Sequence, residues 1–251
     1  MKNFEIVRRE IIESEVISIS RRFDREGLRF LFLKGLPFSV LLYDDRYSRK
    51  FSDIDLLIDE KDRNQVIATF EELGYVNTRG WIPKEIAKQV TMRKIRYGIN
   101  IDFDLHYELT QFRYINERFN FDKLFNYSIK FELNEYTLRS MDYLSSLNFS
   151  IYHLELEVLR GNSNTDKWFE DIYRLTSKLA DKPFVLDREV CNYLSENKNF
   201  GSKRYLLMRF LESKDKLTFI NETMFPPLGE LIFSGRYKSR LHRLFRLKRT
   251  K

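Results

Sequence analysis

The sequence predicts an α/β (α+β) chain: an N-terminal unit on a mixed sheet, residues 1–134, followed by a helical unit, residues 135–251. Three observations predict it. Up to about residue 134, short apolar runs of strand length alternate with segments whose apolar residues recur at helical spacing. Beyond residue 136 the helical period takes over. Two of the N-terminal strands also carry paired aspartates, Asp53-Ile54-Asp55 and Asp102-Phe103-Asp104.

Phe4, Val7, Ile11, Ile12, Ile19 and Phe23 share one helical face, so residues 3 to about 25 read as an amphipathic helix that Gly27 stops. RFLFLK, 29–34, reads as a short buried strand. GLPFSVLLYDD follows as a helix with Pro37 in its first turn, where a missing N–H costs little. FSDIDLLID, 51–59, is a second strand. The next helix, EKDRNQVIATFEELGY, buries Val66, Ile67, Phe70 and Leu73 and ends at Gly74. Residues 75–79 suit a further strand, and 90–97 with 99–105 suit a hairpin turning at Tyr97-Gly98. The helical unit reads as TLRSMDYLSSLNFSIYHLELEVL, DKWFEDIYRLTSKLA, DREVCNYLSEN (capped by Asp187) and SKRYLLMRFLES.

Composition narrows the class. With 43% hydrophobic and 32% charged residues, the chain can bury a core and cover a soluble surface, which excludes disorder over most of its length. Nine glycines and 5 prolines leave little for long linkers. One cysteine, Cys191, excludes an internal disulfide and a cysteine-built zinc site. The opening MKNFEIVRREIIESEV lacks the apolar run of a signal peptide, and no stretch suits a membrane span, so a cytoplasmic location is expected. The net charge of +7 is concentrated in GRYKSRLHRLFRLKRTK, 235–251, which holds no acid. That segment suits either an amphipathic helix burying Leu241, Leu244, Phe245 and Leu247, or a polyanion contact through residues 236–251.

The chemistry lies in the aspartates. Alternate residues of a strand point to one face, so Asp53 and Asp55 project together while Ile54, Leu56 and Ile58 face the core. A divalent cation relieves the repulsion between such neighbours. Asp102 and Asp104 repeat the pattern, and if the two strands are adjacent, three or four carboxylates converge on one spot. Phosphoryl transfer on two magnesium ions uses that geometry. Upstream, Lys34-Gly35 forms a strand-to-helix turn where backbone N–H groups and the lysine can meet a phosphate. Arg49, Lys50 and Ser52 are further candidate phosphate contacts. His106 lies on the face of Asp104, placed to touch phosphate or to orient a carboxylate. His153 reads as a hydrogen-bonded helix histidine and His242 as exposed, Asp171 as a cap or the partner of a cation, and Trp81 and Trp168 as core or interface.

Together, Leu33-Lys34-Gly35, Arg49, Asp53-Ile54-Asp55-Leu56-Leu57-Ile58, Gly74-Tyr75 and Asp104-Leu105-His106-Tyr107 resemble the uncharacterised nucleotidyltransferase family of the DNA-polymerase-β-like superfamily. His153, Lys167-Trp168 and Asp171 resemble its helical-region motifs. The resemblance is firm over residues 28–110 and looser over 140–180. It implies Asp53, Asp55 and Asp104 as catalytic metal ligands, with Asp102 a supporting or solvated acid. It implies Mg²⁺ or Mn²⁺ as cofactor and a nucleoside triphosphate as substrate. The nucleotide contacts expected are Lys34, Gly35, Arg49, Ser52 and His106. A nucleoside monophosphate would pass to a small molecule, peptide, protein or RNA. A catalytically silent nucleotide or RNA binder, or a basic interaction module working through the tail, are the other readings. Two departures stand out: Lys34-Gly35 replaces the superfamily's Gly-Gly or Gly-Ser turn, and Tyr107 stands where Trp is commoner.

Overall fold

A computed structural model describes residues 2–78, 88–110, 116–117, 119–159 and 166–179. Trp81, Asp187, Cys191, His242, the expected helices at 187–197 and 202–213, and the basic tail lie outside the described residues.

Helix α1 (Lys2–Glu26) buries Ile12, Val16, Ile19 and Phe23, spaced at one helical turn. Gly27 ends it at φ 69°: its N–H bonds to Asp24 O, and the Leu28 N–H reaches back to Phe23 O. Strand β1 (Phe30–Leu33) leads into α2 (Gly35–Leu41), and β2 (Ile54–Ile58) leads through a single 3₁₀ turn into α3 (Arg63–Glu72). Strand β3 (Val76–Asn77) precedes the hairpin of β4 (Gln89–Arg96) and β5 (Ile99–His106). That hairpin turns at Tyr97 and Gly98, both at positive φ. Then follow α4 (Phe121–Asn126), β6 (Ile129–Leu133), β7 (Tyr136–Ser140), α5 (Tyr143–Leu159) and α6 (Asp166–Leu179). No helix among the described residues is long and apolar enough to cross a membrane.

The seven strands of the described residues form one mixed sheet in the order β3-β4-β5-β2-β1-β7-β6. Period-two alternation gives it two distinct faces. Phe30 and Phe32, Ile54, Leu56 and Ile58, and Ile101, Phe103 and Leu105 pack in one core with α1 and with Val66 and Phe70 of α3. On the opposite face Leu31, Leu33 and Leu57 pack with Leu124 of α4 and Phe149 and Tyr152 of α5. A third cluster joins Phe38 and Leu42 near α2 to Leu147 of α5 and Leu175 and Leu179 of α6.

The structure differs from expectation between residues 129 and 142. TLRS, read as the start of a helix, belongs to β7, which pairs antiparallel with β6 and parallel with β1. The boundary placed at 134/135 therefore falls in the turn of this hairpin, and the sheet continues to Ser140. The turn residues Asn134 and Glu135 both adopt positive φ, 47° and 66°, without the glycine that usually marks such a turn. Helix α5 starts later because Asp142 Oδ1 accepts from the N–H groups of Leu144 and Ser145, at 2.9 and 3.0 Å. Glu135→Gly should stabilise the protein by about 0.5–1 kcal/mol in urea unfolding, by removing the left-handed strain of a side chain. A loss of stability would show that the Glu135 side chain makes a compensating contact.

Candidate metal and nucleotide site

Strands β2 and β5 are parallel neighbours with Asp55 opposite Asp104 and Leu57 opposite His106. The expected convergence of the two acidic strands is therefore present. One ligand atom each from Asp55, Asp104 and His106 lie within 4.8 Å of one another. Asp53 stands one residue before the first strand residue of β2, close enough for Asp55 and Asp104 to act on its charge.

Each carboxylate is held. The His106 ring Nε2 lies 3.0 Å from Asp55 Oδ1, and the Lys34 ammonium lies 3.4 Å from the same oxygen. On Asp104, Thr91 donates its hydroxyl at 2.6 Å and Gln89 its amide at 3.1 Å. Ser52, expected on phosphate, donates to Asp53 Oδ1 at 3.0 Å. Asp102 is engaged bidentately by Arg93, at 2.6 and 2.7 Å on the sheet surface, and does not join the cluster.

Electrostatics separates the two acids of β2. Burial raises the Asp53 carboxyl above its ordinary range, and the charges of Asp55 and Asp104 raise it further. Burial acts the same way on Asp55, but the Lys34 charge and the His106 hydrogen bond outweigh it and hold that carboxyl well below its usual range. The ligand atoms of Asp55, Asp104 and His106, with the Asp53 carboxyl resisting ionisation nearby, form a charge arrangement that a divalent cation would relieve.

The Lys34-Gly35 turn works differently from expectation. Lys34, not Gly35, has the unusual backbone, φ 40° and ψ −142°, and its ammonium lies 5.6 Å from the centre of the Phe149 ring. Gly35 packs closely: a Cβ there would sit 3.1 Å from Phe51 Cβ, and the ring would have to give by a few tenths of an ångström. With only seven residues, α2 contributes a short dipole, so the positive potential at this turn comes chiefly from Lys34.

Arg49, expected on phosphate, is engaged within the protein. It is buried, and Asp171 of α6 accepts from its Nε at 2.8 Å and from a terminal nitrogen at 2.6 Å. Its other terminal nitrogen donates to the Lys50 carbonyl. Asp171 also accepts from Tyr43 at 3.0 Å, so it is the partner of a cation. His153 packs against Trp168 with ring centroids 5.3 Å apart.

Thr91 and Gln89 were missed, although the hairpin register, once counted back from Tyr97-Gly98, sets them opposite Asp104 and His106. Arg8 was missed as well. It donates to the carbonyls of Phe51 and Ser52 at 3.2 and 3.1 Å, and no local pattern marks it.

The family described as uncharacterised nucleotidyltransferase matches residues 4–190. No curated protein matches the chain. Among solved structures, an antigenic nucleotidyltransferase-like protein from Paracoccidioides brasiliensis is similar at TM-score 0.51 and 14% identity, over 86% of this chain and 97% of that one. The lincosamide antibiotic adenylyltransferase LnuA, lincomycin-bound, gives 0.43 and 17%, over 65% and 96%. ANT(2″)-Ia in complex with adenylyl-2″-tobramycin gives 0.47 and 15%, over 77% and 98%. Of these three, the first bears on the fold.

Substitutions at two positions probe the local physics. Lys34→Gly and Lys34→Ala both lose the ion pair to Asp55, yet the glycine variant should be more stable by about 1–2 kcal/mol, because only glycine takes this backbone without strain. Equal stabilities would mean that the turn relaxes freely. Asp53→Asn should raise the melting temperature of the metal-free protein at neutral pH. A carboxyl whose folded pKa is raised penalises folding above that pKa, so the gain should shrink on acidification and vanish below the ordinary value of 3.8. A gain independent of pH would remove charge repulsion as its cause.

Proposed function

Because the chain belongs to the family of uncharacterised nucleotidyltransferases, we propose that it transfers a nucleoside monophosphate from a nucleoside triphosphate to an acceptor, with release of pyrophosphate. The observation that carries this reading is the parallel register that sets Asp55 beside Asp104, with Asp53 near enough for both to act on its charge.

Asp53, Asp55 and Asp104 would hold Mg²⁺ or Mn²⁺. When bound, these ions neutralise the triphosphate and make an attacking hydroxyl more acidic. Thr91 and Gln89 keep Asp104 oriented, and His106 does the same for Asp55. Lys34 balances Asp55 in the free protein and, on a mobile stem, is placed to meet phosphate oxygens once the carboxylates hold metal. An acceptor oxygen then bonds to the α-phosphorus as the bond from that phosphorus to the bridging oxygen of the β-phosphate breaks. Pyrophosphate leaves with that oxygen, and the acceptor's proton passes to water. Catalysis of this kind consists mainly of positioning and charge stabilisation, which suits a site built from held side chains.

The acceptor, whether small molecule, peptide, protein or RNA, would enter between the sheet and the helical region, where Phe149 of α5 flanks Lys34. The basic segment 236–251 would add polyanion contact.

Calorimetry with each of the four nucleoside triphosphates and Mg²⁺ or Mn²⁺ tests the reading. Wild type should bind one or more of them only with metal, and Asp53→Ala/Asp55→Ala should lose that binding while remaining folded. Metal-independent binding that survives both substitutions would point to a silent nucleotide binder on the same fold.

A further inference from the structure

Asp53 is the least regular of the three carboxylates. It precedes β2, and the ladder partners of that strand begin at Ile54 opposite Phe103 and at Asp55 opposite Leu33. No sheet register therefore fixes it, as register fixes Asp55 and Asp104. Something outside the sheet must hold the chain there.

Two arginines do so, Arg8 from α1 and Arg49 from just upstream of the segment itself. Arg8 of α1 donates to the carbonyls of Phe51 and Ser52, the two residues immediately before Asp53. Arg49 donates to the carbonyl of Lys50 and is itself gripped by both oxygens of Asp171. Side chains of that pair are 7% and 3% exposed, so solvent screens it little. Tyr43 donates a third bond to the same carboxylate, and the Arg174 guanidinium lies 4.2 Å from the centre of the Tyr43 ring. Between these clamps, Phe51 is pressed on Gly35 and covered by the Arg9 guanidinium at 4.0 Å. The carbonyls of Lys50, Phe51 and Ser52, consecutive in the chain, are thus each held by an arginine.

We infer that Arg8 and the Arg49–Asp171 pair are positioning residues that fix Asp53 for metal. Arg49 acts through the backbone of residues 50–53 and not on phosphate, and α6 enters the site through Asp171. The inference rests on the metal reading of the three aspartates. It also gives the match of Gly35 to Phe51 a purpose, since a bulkier residue at 35 would push the same segment outward.

The test is Mn²⁺ titration of the full chain by calorimetry, with melting temperature and nucleotide affinity measured alongside. The variants are Arg8→Met, Arg49→Met/Asp171→Leu and Asp53→Ala. Replacing both partners of the buried pair with apolar residues avoids stranding a charge, so the double variant should keep its fold. Arg8 is partly exposed, and its variant should fold as well. Both should bind Mn²⁺ about tenfold more weakly than wild type, the size usual when support behind a metal ligand is lost, and Asp53→Ala more weakly still. Wild-type Mn²⁺ affinity in both would overturn the inference and leave the arginines purely structural. Unchanged Mn²⁺ affinity with a loss of nucleotide affinity confined to the Arg49 variant would overturn it in favour of a phosphate contact. Should the double variant not fold, Arg8→Met alone decides in the same terms. Asp53→Ala binding Mn²⁺ as wild type does would sink the metal reading itself, and the inference with it.

Discussion

The parallel pairing of β2 with β5, Asp55 opposite Asp104, is the constraint on which the site depends. A parallel pair cannot be closed by a tight turn, so the chain must leave β2, run through α3 and β3, and return by the β4–β5 hairpin. What sets the register is the apolar side of the same strands. Ile54 and Leu56 lie opposite Phe103 and Leu105, all buried under α1 and α3. A slip by one residue would turn Asp104 into that core and lift Phe103 to the other face. Burying a bare carboxylate among phenylalanines costs several kcal/mol. The carboxylates meet because the core permits one register, and their mutual repulsion is tolerated because the same register also brings His106 onto Asp55 and Thr91 onto Asp104.

That accounts for how much was legible in the sequence. Asp55, Asp104 and His106 lie on strands with strict alternation, so counting by two gives their common face. Helices α1 and α3 and their glycine ends follow from a period that is equally plain. The β6–β7 hairpin was hidden because its turn is Asn134-Glu135, with no glycine to announce two positive φ angles, and because a buried position of β7 is a serine. Ser140 is 1% exposed and donates to the Phe32 carbonyl at 2.9 Å, which satisfies its hydroxyl but breaks the apolar pattern that marks a strand. The role of Arg49 was hidden for another reason: its partner lies 122 residues away, and spacing carries no information over such a distance.

Lys34 shows a local conflict that the surrounding structure resolves. A lysine at φ 40° is strained, and a glycine would fit the turn better. Its ammonium nevertheless sits between Asp55 and the Phe149 ring, where it balances a buried carboxylate that burial alone would push toward the neutral form. A glycine at this turn would relieve the backbone and leave Asp55 with His106 as its remaining neighbour of the pair. Local strain and long-range charge balance therefore oppose each other at one residue, a pattern typical of positions kept for a site and not for the fold.

The helical region is tied to the sheet by more than contact area. Strand β7 lies between β1 and β6, so β6 reaches the rest of the sheet only through residues beyond 134. Phe149 and Tyr152 of α5 cover the face that carries the carboxylates, and Asp171 of α6 neutralises an arginine four positions before Asp53. Removing Asp171 would leave the Arg49 charge buried without its partner, beside the segment whose position matters most to the cluster. The carboxylate face of the sheet is thus complete only when α5 and α6 are packed on it. The first of the three aspartates takes its place from side chains that come from both ends of the described chain.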